Sequence, residues 1–383
     1  MASVGMFSVL AAWYLIASQV NHIDDCDEVF GYYEPLHYLM SDQRVGLQTW
    51  EYAPSYSIRT YSFIYPFYVL MFPLQYMGCS KLFIFQVIRS VIGLCAAYSQ
   101  TLFVQAIRDR IDKDVSSCTL FLILFSPGCF YCSTSYLPSA IGSSMVMLSS
   151  AHWMNHHYPA SILFGSVAVL CTGWPFIGLL LVPIGLSMIH NTISINPSSL
   201  VAASYSLLQL IMSGLCIVAL VQLPVLLLDF KFYGRITSPT LNILRYNAIG
   251  GSGDELYGVE PVSYYVRNLF LNMGLSWVLV LLSPVMALLL AFLKWLTGHR
   301  RDELSDTVDD VSRKDSFMLK TALYCQALLW IGVLFSRPHK VSDPSLHDVG
   351  CLMLMPLSRL TSDRKRGSCI PCIRCWHSWP QTV

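Results

Sequence analysis

Apolar runs of near-span length recur along this chain from residue 5 to residue 335, and no other feature constrains the fold as much. A run of about 20 apolar residues crosses a bilayer only as a helix, because lipid offers no partner to an unpaired peptide group. Charged residues make up 12% of the 383 positions, against about 25% in soluble domains. With a mean hydropathy of +0.52, that excludes a soluble globule. The expected fold is all-α, a polytopic transmembrane bundle. A net charge of +1 gives no global field for nucleic acid. The 13 cysteines are scattered and mostly apolar in setting, so they say little about redox compartment.

The runs cover residues 5–20, 61–77, 82–107, two short spans within 118–153, then 159–190, 201–228, 269–292 and 321–335. This predicts roughly eight or nine spans, because short or Pro-broken runs can be re-entrant. No Lys or Arg precedes the first run, so a retained helix is expected rather than a cleaved signal. The linker 294–320 carries Arg300, Arg301, Arg313 and Lys314, and positive-inside counting makes it cytosolic. Two other polar stretches, 21–60 and 229–268, are then expected to share the opposite face. Arg89 lies within a span, where an arginine faces the bundle interior, snorkels, or pairs with an acid or a phosphate.

The stretch 21–60 concentrates acids and aromatics. Asp24, Asp25, Asp27 and Glu28 crowd its start, Glu34 and Glu51 follow, and Tyr32, Tyr33, Trp50 and Tyr52 are interleaved. Carboxylates beside a bilayer are costly unless something uses or neutralises them. A carboxylate can take a proton from an attacking hydroxyl. A phosphate leaving group needs cations, and Arg59, Arg89, Arg245, Arg267, His339 and Lys340 are candidates. Trp50 and Tyr52 offer faces for a sugar. Two metal readings are set aside. His152, His156 and His157 have no nearby Cys or acid, and Cys369, Cys372, Cys375 and His377 lack a second ligand pair at finger spacing. The chain has no P-loop, Rossmann fingerprint, H-E-x-x-H or G-x-S-x-G. These residues alone imply a membrane-embedded transferase or a transporter.

The sequence DDCDEVFGYYEPLHYL, followed by QTWEYAPSYSIRTY, closely resembles the first luminal loop of glycosyltransferase family 22. These are dolichyl-phosphate-mannose-dependent mannosyltransferases of the GT-C superfamily. Within the family the likeness is to the alpha-1,2-mannosyltransferases of asparagine-linked glycan assembly. Tyr136-Leu137-Pro138-Ser139, Gly173-Trp174-Pro175-Phe176 and the run from Asp254 to Pro261 extend it.

The resemblance implies a multi-pass protein of the endoplasmic reticulum membrane with a luminal site. It implies inverting transfer of mannose from dolichyl phosphate mannose to a dolichyl-pyrophosphate-linked oligomannose, in alpha-1,2 linkage, with no metal or other cofactor. Asp27 and Glu28 match the family's acidic pair, with Asp25 just before, and one of the pair is the expected general base. Glu34, Trp50, Glu51, Tyr52, Arg59, Glu260, His339 and Lys340 are the expected substrate contacts. Residues 1–340 form the transferase region, and 341–383 an expected disordered tail. In the family, Pro-His-Lys continues as H-K-E-E-R-F into further spans, whereas VSDPSLHDVG follows Lys340 here. The expectation is a frameshift, altered splice or gene-model error after Lys340, with impaired activity as a consequence. Alternatives are a mannosyltransferase of other linkage (alpha-1,6, or of glycosylphosphatidylinositol assembly), a transporter, or an inactive membrane scaffold.

Overall fold

The computed structural model describes residues 2–23, 25–41, 46–194, 199–249, 261–274, 277–279 and 307–336, with the single positions 282, 285, 289 and 292. Among these residues the chain is helical and has no strand. The first helix, α1 (Ala2–Val20), lies antiparallel to α4 (Lys81–Arg110). Tyr14 donates to Gln100 Oε1 at 2.7 Å, and Ser18 and Ser90 share a hydrogen bond at 2.9 Å. Interhelical bonds of this kind contribute about 0.6–2 kcal/mol each in a membrane, where apolar burial between helices gains little over lipid. Close approach is set by small residues: a Cβ on Gly93 would stand 3.0 Å from Tyr14 Cβ and 3.2 Å from Thr134 Cγ2.

From α4 the chain crosses back and forth. The shorter helices are α5 (Lys113–Phe125), α6 (Pro127–Cys132), α7 (Pro138–Met154) and α8 (Tyr158–Ser166), which runs on as wider π turns to Cys171. Then come a 3-10 stretch, Pro175–Leu181, and α9 (Val182–Ser194). The long α10 (Leu200–Tyr233) is followed by α11 (Pro239–Ile249), α12 (Val262–Met273) and α13 (Thr307–Ser336). Local chemistry marks the starts. Asp112 caps α5 through the amides of Asp114 and Val115, Ser80 caps α4, and Pro138 opens α7.

Among the described residues, five helices are long and apolar enough to span a membrane: 3–20, 81–110, 175–194, 200–233 and 316–333. The helix α10 is apolar on all sides, and only 11% of its most hydrophobic window is buried by protein. A helix of that kind is solvated by lipid. Connections alternate between two ends of the bundle. At one end Arg110 Nε donates to Met154 O. At the other, Asn21 donates to Phe130 O and Ser62 to Cys171 O.

Two elements differ from expectation. The run 61–77, expected as a span, forms the 16-residue α3 (Tyr61–Tyr76) and stays at the loop end. Thr60 before it bonds Asp229, and Gln75 near its far end donates to Met40 O at 2.7 Å. Together with α2 (Glu34–Met40), it roofs the bundle over a second core. That core holds Tyr32, Leu36, Phe63, Phe67, Ile88 and Tyr136. The expected linker 294–320 is likewise part of a helix from Thr307 onward, consistent with a stretch free of Pro. Its earlier residues, like the tail 341–383, lie outside the described residues.

Gly93→Val is expected to destabilise the detergent-solubilised protein by about 1–3 kcal/mol, the usual range for overpacking. Gly185→Val, where an added Cβ meets nothing within 4 Å, is expected to be near silent. Thermal unfolding of both variants checks the contrast.

Candidate active site

The polar stretch between α1 and α3 is folded on itself. Asp25 accepts a hydrogen bond from the Asp27 amide at 2.8 Å, an Asx-type turn that starts a helical segment. Its wide π turns, Glu28–Tyr33, run into α2. Successive residues on such turns face different directions, and this separates the acidic pair. Glu28 points inward, 2% exposed, and its Oε1 accepts from the Tyr136 amide at 2.8 Å. Asp27 points outward with its side chain 60% exposed.

Arg59 gathers the outward side. Its Nη2 lies 3.2 Å from Asp27 Oδ2, its Nε lies 3.0 Å from Glu51 Oε2, and its Nη1 donates to the Tyr32 hydroxyl. Burial opposes the charge, but the Tyr32 hydroxyl, Glu51 and Asp27 outweigh it and hold the guanidinium above its usual range. Burial also pushes the Tyr32 phenol up, only partly offset by Arg59. Arg59 is thus a cation and Tyr32 a neutral phenol at any physiological pH. Thr49 Oγ1 donates weakly to the same Glu51 oxygen, at 3.4 Å.

The aromatics divide in the same way. Tyr52 is 3% exposed, and its hydroxyl donates to Gly31 O at 2.7 Å. It is a strut of the loop rather than an open platform. Trp50 is 42% exposed, with Tyr56 and Tyr246 beside it at ring distances of 5.1 and 5.6 Å. Glu34 sits apart on α2, where it accepts from the Leu47 amide at 3.4 Å and lies 3.9 Å from His37. Asp27, Glu51, Trp50 and Arg59 therefore fall in one neighbourhood, with Tyr52 beneath them. Glu260, His339 and Lys340 lie outside the described residues. Asp25, Cys26 and Asp27 each place one ligand-type atom within 4.8 Å of the others. They are consecutive residues, and two of the three already hold intraprotein bonds.

What fastens this loop to the bundle was not legible as such. Asp229, near the end of α10 and fully buried, accepts from Thr60 Oγ1 at 2.9 Å and from the Tyr61 amide at 2.8 Å. These donors belong to the N-terminus of α3, where the helix dipole favours an anion. Thr60 also caps α3 through the Ser62 amide. Gly173, of the Gly173-Trp174-Pro175-Phe176 run, packs against the same threonine. It has φ +68°, and a Cβ there would stand 2.6 Å from Thr60 Cγ2. The second polar stretch meets the first directly: Asn242 donates to Ser57 O at 3.0 Å and Arg235 to Ser57 Oγ at 3.2 Å. The two stretches expected on one face are in contact. The available sequence signal was an acid at the end of a span and a Gly-Trp-Pro in another, with nothing to pair them.

Residues 5–340 match the family model described as the Alg9-like mannosyltransferase family. The chain is 32% identical over 276 residues to the alpha-1,2-mannosyltransferase ALG9 of Arabidopsis thaliana, covering 71% of this chain and 45% of that protein. It is 30% identical over 346 residues to the alpha-1,2-mannosyltransferase alg9 of Schizosaccharomyces pombe, covering 88% and 55%. The human alpha-1,2-mannosyltransferase ALG9 is 30% identical over 291 residues, covering 75% and 45%. The chain spans about half the length of these relatives.

Gly173→Ala is expected to lower the melting temperature by several degrees, since left-handed backbone alone costs about 1–2 kcal/mol for a residue with a Cβ. Thr60→Ser removes the Cγ2 that the new methyl would strike and is expected to restore part of the loss. Scanning fluorimetry of the single and double variants reads this. A double variant no better than Gly173→Ala would remove the close approach from the explanation.

Proposed function

Because the chain belongs to the Alg9-like mannosyltransferase family, we propose that it transfers mannose from dolichyl phosphate mannose, in alpha-1,2 linkage, to a lipid-linked oligosaccharide of N-glycan precursor assembly. In this reading it is a multi-pass protein of the endoplasmic reticulum membrane, with the 21–60 stretch luminal and no metal required. The observation that carries the reading is the division of the acidic pair: Asp27 stays open to solvent and is oriented by Arg59, while Glu28 is engaged inside.

The chemistry follows from that division. The acceptor hydroxyl oxygen forms a bond to the mannosyl anomeric carbon and gives its proton to Asp27. The bond from that carbon to the donor phosphate oxygen breaks, and its electron pair leaves with the phosphate. Attack from the side opposite the phosphate inverts the anomeric centre. A carboxylate suits the base role when it is accessible and held in one orientation, and Arg59 supplies the orientation. Glu28 anchors the loop to the segment before α7 through the Tyr136 amide. Trp50 offers the exposed ring face on which an acceptor sugar stacks. Arg59 already shares its charge with Asp27 and Glu51, so a second cation is expected to meet the phosphate.

Complementation of a cell lacking the alpha-1,2 step, read by the accumulated lipid-linked glycan, tests the activity. Digestion of the product by a linkage-specific mannosidase separates it from an alpha-1,6 sibling. Asp27→Asn is expected to reduce transfer by about 10²–10⁴-fold, the usual worth of a positioned base, with the melting temperature unchanged. Glu28→Gln, which keeps an oxygen for the Tyr136 amide, is expected to retain more activity than Asp27→Asn. The reverse order would reassign the base. Washing with EDTA is expected to leave the rate unchanged; a loss restored by a divalent cation would point to Asp25, Cys26 and Asp27 as a metal site.

A further inference from the structure

Among the described residues, Arg89 is a buried cation with no carboxylate paired to it. It is 1% exposed, and its one hydrogen bond is a long one, from Nη2 to Thr134 Oγ1 at 3.4 Å. Its other contact is with the Phe85 ring, 5.4 Å from guanidinium carbon to centroid. Nε and Nη1 have no partner. Two further orphaned groups stand close by. The hydroxyls of Tyr33 and Tyr136 are buried and unbonded, and their rings lie 5.0 Å apart. Tyr33 also packs on Phe85 at 5.0 Å, so one aromatic joins it to the guanidinium. Burial raises the Tyr33 phenol, and the nearby Glu28 raises it further while Arg89 acts against them, so the hydroxyl stays protonated. The cluster thus offers four polar atoms, all able to donate. Buried polar groups are ordinarily satisfied, and an unpaired buried charge is the costliest exception.

The place is also informative. Ser90 bonds Ser18, two residues before the end of α1, so Arg89 lies at the boundary between the bundle and its roof. Leu82, Phe85 and Arg89 fall on one face of α4 by helical spacing, and Leu82 is 66% exposed, which gives an acyl or isoprenoid chain an apolar path outward. The adjacent tyrosines divide the two arginines: Tyr32 contacts Arg59 beside Asp27, and Tyr33 lies toward Arg89. The acid of the neighbourhood, Glu28, spends one oxygen on the Tyr136 amide.

We propose that Arg89, with the Tyr33 and Tyr136 hydroxyls, binds the phosphate of an isoprenoid-linked phosphate, and holds the donor's leaving group on the side of the mannosyl carbon away from Asp27. This rests on the transferase reading above and names the cation that reading expects. An arginine with free Nε and Nη positions matches a phosphate bidentately, which a lysine does not. The group binds and orients; no bond is made to it.

The test measures binding of a short-chain isoprenyl phosphate to the detergent-solubilised full chain, beside the matching isoprenol and inorganic phosphate. The wild-type protein is expected to prefer the lipid phosphate over the alcohol by tenfold or more, and inorganic phosphate is expected to compete only weakly. Arg89→Gln is expected to remove at least tenfold of that preference, and Arg89→Lys part of it, without changing the isoprenol. In transfer assays Arg89→Lys is expected to raise the donor KM with the acceptor KM unchanged. A folded Arg89→Gln protein that keeps the phosphate preference overturns the proposal, as does a wild type with no preference. If Arg89→Gln does not fold, the Tyr33→Phe/Tyr136→Phe double variant is read instead, and an undiminished preference again overturns it. Phosphate preference through Arg89 without mannosyl transfer leaves this inference standing and sinks the enzyme reading; transfer with an Arg89-independent preference does the reverse.

Discussion

The buried carboxylate of Asp229 on the N-terminus of α3 is the tie on which the arrangement of this protein depends. It accepts from the Thr60 hydroxyl and the Tyr61 amide, and no cation shares it among the described residues. Its neutral partners make it a positional device: a carboxylate in a dry site is stabilised only while those donors stay aimed at it. Thr60 is adjacent to Arg59, so one dipeptide both fastens the acidic loop to α10 and gathers the loop's carboxylates. Gly173 completes the joint from a third direction, because only a residue without Cβ fits against Thr60 there. Three connections distant in sequence thereby meet at one end of the bundle.

From that joint outward, the charged groups of the acidic loop among the described residues are either satisfied or exposed. Asp27 is exposed and oriented, Glu51 is shielded beside Arg59, and Glu28 is buried with an amide partner. The acids of the opening run therefore have separate tasks although they are neighbours in sequence. Among the described residues, Arg89 Nε and Nη1 and the Tyr33 and Tyr136 hydroxyls lack the partners that buried groups ordinarily have. Their arrangement turns a list of basic residues into one position for an anion.

The bilayer explains the rest of the architecture. A helix such as α10, apolar all round and little covered by protein, needs no partner on most of its surface. Helices α1 and α4 instead associate through side-chain hydrogen bonds and a glycine, since lipid removes most of the gain from burying apolar area. The run that forms α3 has the hydropathy of a span but not its position. Two internal prolines, an N-cap residue, Thr60, tied to Asp229, and a bond from Gln75 to Met40 O keep it in the roof, packed on the aromatic core beneath the loop.

The helical class, the membrane setting and the family likeness carried by the acid-rich loop were all legible in the amino-acid sequence. Each rests on a local quantity: the length of an apolar run, the density of charge, or a contiguous motif around Asp27 and Trp50. Which of Asp27 and Glu28 faces solvent, that Tyr52 is a strut while Trp50 is open, and that Asp229 and Gly173 both serve Thr60 were decided only in three dimensions. Those outcomes depend on which residues meet across separations from 21 positions, Tyr52 with Gly31, to 169, Thr60 with Asp229. Hydropathy and spacing report the solvent a segment prefers; they do not report which hydrogen-bond donor will stand opposite a given acid.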